Sequence, residues 1–234
     1  MAEPWRARNE DPGTTRLVQP LYRDLGNITR LPCGFNSDDL AAQYFGQGLR
    51  LFLVFDRPRA LMSFREAIRL GCSCALCKWG EALALGPTLN TFDDPSYFDR
   101  LAEAHRAATE ASDVLHGTDN ASHSAALNTS AVWGLRDRGL VDAMSKRYLP
   151  SRALYVPRRP ALDSKYADWM TDLAEHFPHD DEVAVLAAIA LLQGLAPSYA
   201  DHATRVLHAD AQRALDLVDG VLRRAPHHAA ALML

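Results

Sequence analysis

Cys72, Cys74 and Cys77 are spaced C-x-C-x-x-C. Thiolates that converge in this way bind Zn²⁺, Cu⁺, haem iron or iron–sulfur clusters. The C-x-x-C pair alone is half of a zinc site. A second pair is missing, and Cys33 is the only other cysteine. A closed four-thiolate site would therefore need Cys33 to reach across from the leading segment. Packing is the competing reading: Cys74 and Cys77 fall three residues apart at the start of a helix and so share a face, and a free cysteine packs as a small hydrophobe. Redox chemistry is the third reading. A helix N-terminus lowers a thiol pKa, whereas burial against Trp79 raises it. Packing is favoured, with ligation and redox chemistry left open.

Trp79 and Trp133 each precede a glycine, and Asn90 follows Gly86-Pro87. These three are the candidates for lining a ligand groove. For the tryptophans the plainer role is filling gaps between helices; for Asn90 it is a turn or cap. The nine histidines make no metal pattern. His227 and His228 are adjacent and point apart on a helix, and His202 and His208 are six apart. His105 adjoins a buried stripe, while His176 and His179 flank Pro178 at a helix end, where positive charge is favourable. No H-E-x-x-H, glycine-rich phosphate loop or nucleophile elbow occurs.

The elements that must position these residues read as helices throughout. Residues 1–20 are expected to form a flexible N-terminal arm, with Pro4, Pro12, Gly13 and Pro20 and no apolar periodicity. Residues 21–234 are expected to form one helical domain. Ser37-Asp38-Asp39 looks like a helix start, giving a helix to about Phe55. Helices follow over 58–70, from 73 to before Gly86, and over 97–115. The buried stripe of the last is Leu101, Ala104, Ala108, Ala111 and Leu115. Residues 119–136 read as helical, with a continuation or restart over 139–148. Residues 150–160 read as a long loop, with Pro157 and Pro160 blocking regular structure. A hairpin over 161–176 and 180–193 turns at Pro178, and 197–225 holds one or two helices. No segment has a strand's period of two.

Within this helical pattern one set of offsets recurs. Tyr44, Gly48 and Leu51 share a face of the first helix, and Gly48 allows a neighbour to approach. Arg57-Pro58 marks the turn, and Ala60, Phe64 and Ala67 make a second stripe. Tyr166, Met170, Leu173 and Pro178 repeat the offsets of Ala60, Phe64, Ala67 and Cys72, as do Ala214, Val218, Val221 and Pro226. The expected fold is all-α, a tetratricopeptide-like α-solenoid of antiparallel helical hairpins.

The chain resembles a family of bacterial tetratricopeptide-repeat (TPR) proteins that is distantly similar to the eukaryotic tetratricopeptide repeat protein 38. The resemblance rests on Leu25-Gly26, on residues 43–49 (QYFGQGL), on Phe64-Arg65-Glu66-Ala67 and above all on residues 74–87 (CALCKWGEALALGP) with Asn90. Leu140 to Tyr148 and Leu162-Asp163 with Tyr166-Ala167-Asp168 match more weakly. Two departures stand out. Members usually carry a histidine in the first turn, which here reads Phe55-Asp56-Arg57-Pro58. They also usually continue into histidine-rich helices, so the resemblance implies that this chain covers the first part of the usual length and lacks a C-terminal half or cap.

The chain has 234 residues, 48% of them hydrophobic, which suffices for a sizeable core, and a net charge of −4. That balance offers no basic stripe for nucleic acid, and the pairs Arg158-Arg159 and Arg223-Arg224 read as solvated surface. The longest apolar run, 183–192, is too short to span a bilayer, and residues 1–13 lack the apolar core of a secretory signal. The expectations are therefore a cytoplasmic protein with reduced thiols, no nucleic-acid partner and no membrane partner. The leading functional expectation is a scaffold that presents a concave groove to a protein or peptide, without a cofactor. The alternatives are a metal- or haem-dependent enzyme, or one subunit of a split one, using Cys72, Cys74 and Cys77, and a small-ligand carrier. The apolar ending, 229–234, predicts homo- or hetero-oligomerisation through an uncapped end.

Overall fold

The computed structural model describes residues 39–71, 74–87, 89, 95–119, 130–195 and 198–234. They are mostly helical, and no strand occurs among them. The helices are α1 (Leu40–Leu53), α2 (Arg57–Arg69), α3 (Ala75–Leu85), α4 (Leu101–Asp119), α5 (Ser130–Ser145), α6 (Arg152–Tyr155), α7 (Arg159–His176), α8 (Asp181–Leu195), α9 (Ala209–Arg224) and α10 (Ala229–Met233). Short 3-10 turns lie over Pro95–Arg100 and Val156–Arg158.

Local chemistry sets the helix starts. Asp39 caps α1 by accepting from the Ala41 amide at 2.9 Å, and Asp56 caps α2 by accepting from the Arg59 amide at 3.3 Å. In both, a side-chain oxygen satisfies an amide that the first turn leaves without a partner. Pro58 sits in the first turn of α2, where no amide hydrogen is needed. Asp180 does two jobs. It accepts from the Val183 amide at 3.1 Å at the start of α8, and it receives the buried Arg136 Nε at 2.7 Å. That ion pair fixes the start of α8 against α5.

Each long helix packs on its neighbours in sequence: α1 on α2, α2 on α3, α3 on α4, α4 on α5, α5 on α7, α7 on α8 and α8 on α9. The recurring positions face inward. Ala60, Phe64, Ala67, Tyr166, Met170, Leu173, Ala214, Val218 and Val221 are all buried. Phe64 is the hub of the first three helices. A Cβ at Gly48 of α1 would stand 2.8 Å from its ring, and one at Gly80 of α3 would stand 2.5 Å away. Only hydrogen fits at either position. Phe45 meets the same ring edge-on at 5.6 Å between centroids. The outer edge of α2, α3 and α4 is joined by ion pairs: Arg65 to Glu81 at 2.9 Å and to Glu103, and Lys78 to Glu110 at 2.6 Å.

One expectation needs correction. Residues 150–160 are not a loop. They form α6, a 3-10 turn and the start of α7, because Pro157 and Pro160 both fall in first turns, where proline is tolerated. Of the two readings for 139–148, continuation or restart, the continuation holds as far as Ser145, since α5 runs unbroken through Gly139. Residues 1–38, and with them the expected N-terminal arm, lie outside the described residues. At the other end α10 packs on α9. It buries Ala230 and Ala231 and leaves Leu232 and Met233 exposed. His228 caps it, its Nδ1 accepting from the Ala231 amide at 3.2 Å.

Candidate functional site

Cys74 is a free thiol at the N-cap of α3. Two opposing effects act on it, and burial is the larger. It pushes the thiol up, against the helix-start amides of Leu76 and Cys77 that favour the thiolate. Burial thus disfavours the thiolate. Cys77 is fully buried and disulfide-bonded, and its partner lies outside the described residues. The expectation of four reduced thiols is corrected at this position. A sulfur held in a disulfide is not a thiolate ligand. Among the described residues no group of three or more His, Cys, Asp or Glu side chains could hold a metal ion. Cys72, Cys33, Asn90 and the side chain of Trp133 lie outside the described residues.

Trp79 is 1% exposed and packs in the core. Its indole Nε1 is buried with no hydrogen-bond partner. It is not among the residues that line the groove along α9. Nearby, the Tyr148 hydroxyl donates to the Ala82 carbonyl at 2.9 Å. A Cβ at Gly86 would stand 1.9 Å from that hydroxyl. The Gly86-Pro87 step thus leaves the space that a tyrosine from the end of α5 fills.

The same tyrosine belongs to a buried polar cluster that no sequence pattern marked. Arg147 is 1% exposed. Its Nη2 donates to the Gln193 Oε1 at 2.6 Å and to the Pro87 carbonyl at 3.3 Å, and Gln193 Nε2 donates to the same carbonyl. The guanidinium lies 4.4 Å from the Tyr166 ring centroid and 5.6 Å from that of Tyr148. Desolvated cation–π contacts of this kind stabilise by up to about 2 kcal/mol. Burial pushes the Tyr166 phenol up to about 12, so the ring under the cation is neutral. Asp163, also buried, accepts from Arg159 Nε at 3.2 Å through Oδ2, while its Oδ1 has no partner. Burial holds its carboxyl above the ordinary range, against the pull of Arg147 and then Arg159. The cluster clamps the ends of α3, α5, α7 and α8 together. Its side chains are closed from solvent, which makes it a structural joint.

Open space lies elsewhere. A groove of about 450 Å³ is lined by Phe55, Leu89, Leu192, Tyr199, Leu207, Ala211, Ala214, Leu215, Val218, Met233 and Leu234. One wall is the α9 stripe Ala211, Ala214, Leu215 and Val218, at positions i, i+3, i+4 and i+7. Another is the stretch from Tyr199 to Leu207, closed by the Ala200–Leu207 bridge. Phe55 supplies a third from the α1–α2 turn. Its φ of 64° is left-handed, and the other described non-glycine residue with positive φ is Arg205, at 60°, in the bridged stretch. A bulky residue rarely adopts that conformation, and such outliers persist where the surroundings hold them. Phe55 lines the groove, and Arg205 lies two residues before the lining Leu207. The groove draws on Phe55, Leu89, Leu192, the 199–207 stretch, α9 and residues 233–234, six parts of the chain, so no local spacing could have pointed to it. Leu215 and Met233 are apolar and exposed, but no spacing in the sequence links them.

No protein-family model, no curated protein and no solved structure matches this chain. The described residues define an all-α chain with a closed polar joint and an open apolar groove.

Proposed function

We propose that the chain is a helical-repeat scaffold that binds the apolar face of a partner's amphipathic helix in the α9 groove. The groove carries the reading. Its α9 wall has helical spacing, its small residues Ala211 and Ala214 permit close approach, and Leu215 and Met233 stay exposed at its mouth. Helix-in-groove recognition uses such an apolar channel with anchors at i, i+3, i+4 and i+7. Tetratricopeptide-type units are supported by the three recurring sets of offsets, by the burial of all nine positions and by the packing of successive helices. The volume also falls within the range for small ligands, about 300–1,000 Å³. A small-ligand carrier is therefore the second reading.

The test titrates the full chain with a leucine–lysine amphipathic peptide and, separately, with an apolar fluorescent dye. Leu215→Asp and Met233→Asp change exposed side chains and leave the helical spectrum intact. Each is expected to weaken peptide binding at least about tenfold, because a charge replaces an apolar anchor. Equal peptide binding by wild type and both variants sinks the proposal. Dye binding without peptide binding favours the carrier. Light scattering on the same samples reads self-association through this face.

A further inference from the structure

Between Asp142 and Asp163 the chain has no acidic residue, but it has Lys146, Arg147, Arg152, Arg158 and Arg159. This is the reverse of the whole chain, whose net charge is −4. Arg147 is buried and Arg159 faces Asp163. Lys146, Arg152 and Arg158 remain exposed, and neither Lys146 nor Arg158 makes an ion pair with a described residue. Between these cations the helical turns of α6 and the following 3-10 segment turn one residue inward. Tyr155 is fully buried, lying 6.5 Å from Tyr148 and 6.4 Å from Phe98 between ring centroids. With Tyr155 fixed inward, Ala153, Leu154, Val156, Pro157, Pro160 and Ala161 are all exposed. Leu154 and Val156 are each 44% exposed. Arg152 is steadied by the Phe98 ring at 4.9 Å.

We propose that this 150–161 face docks on the surface of an anionic lipid bilayer. Leu154 and Val156 enter the headgroup–acyl boundary, and Arg152 and Arg158 sit beside lipid phosphates. Exposed aliphatic side chains flanked by cations suit that boundary, where burial is non-directional and the charge is negative. The face offers little to hold a peptide in register. Pro150, Pro157 and Pro160 have no amide hydrogen, and Ser151 is its one uncharged polar side chain. No membrane span is needed for such docking, and among the described residues no helix is long and apolar enough for one.

The experiment pellets the full chain with vesicles of phosphatidylcholine alone and with vesicles containing phosphatidylglycerol, at low and at physiological salt. Binding is expected only to the phosphatidylglycerol vesicles, weakening as salt rises. Arg158→Gln should weaken it roughly fivefold, and Leu154→Ser with Val156→Ser about tenfold. Because all three side chains are exposed, circular dichroism should find the variants folded. A fluorophore attached at Leu154→Cys should shift to the blue on the anionic vesicles, a readout that needs no loss of binding. Failure to pellet with phosphatidylglycerol at low salt overturns the proposal, as does equal pelleting on neutral vesicles or unchanged binding by the variants. Binding to soluble polyglutamate that depends on Arg158 but not on Leu154 and Val156 replaces the bilayer with an acidic protein partner.

Discussion

At Cys74 two textures of environment compete, a helix start and a desolvating core, and the core prevails. Thiol alkylation at neutral pH should therefore be slow on the folded chain and fast in urea. Equal rates in the two states would mean that the thiol is not held up by burial. Asp163 carries a second residue-level consequence. A carboxyl raised in the folded state binds its proton more tightly folded than unfolded. Its ionisation therefore opposes folding, an effect absent below the ordinary carboxylate range and complete above the raised folded value. As pH rises through that window, wild type should lose stability relative to Asp163→Asn. Urea melts across acid and mildly acid pH check the sign, and parallel curves would show that the carboxyl is not raised. Neither side chain could be weighed from the sequence. The C-x-C-x-x-C spacing was legible, but a thiol's surroundings come from segments distant in the chain. Trp79 was visible as a large aromatic beside a glycine, yet nothing local distinguished core from groove.

For the elements, the helix periodicity did most of the work. The stripes of α2, α4, α7 and α9 were readable because apolar side chains at three- and four-residue spacing have one way to be buried together. Proline marked the turns at Pro58 and Pro178 correctly but misled over 150–160. Pro157 and Pro160 break a helix interior but open a first turn, and the sequence does not say which position each holds. The Arg147 joint was hidden for another reason: a buried arginine interrupts no apolar pattern that a reader would expect to continue. Its dependence on two acceptors from other elements makes Gln193 a test of the joint. Gln193→Ala leaves a buried guanidinium short of an acceptor and should destabilise by about 1–3 kcal/mol. Chemical denaturation measures it, and a loss within error would mean that Pro87 and the two tyrosine rings suffice. Phe64→Ala should cost about 3–5 kcal/mol by opening a cavity between three helices.

Over the whole molecule, packing between sequence neighbours predicts uneven local stability. Nearly all of α8 is buried, from Glu182 to Gln193, whereas α10 is one short turn and 201–208 is exposed. Amide hydrogen exchange should be slowest in α8 and fastest in α10 and in 201–208. Uniform protection across all of them would mean a single cooperative block. The all-α class was legible at this scale because no segment alternated with a period of two. The groove was not, since its lining comes from six places that only folding brings together.

The Phe64 ring, held between Gly48 and Gly80, ties three positions on three helices into one steric unit. Genetics would meet that unit as linked inheritance. Gly80→Ala alone forces a methyl into the ring, costing about 1–3 kcal/mol. Its suppressors should arise first at position 64, as Leu or Val, where a narrower side chain returns the lost space. Carried alone, those same suppressors would be harmful, leaving a void where the ring had been.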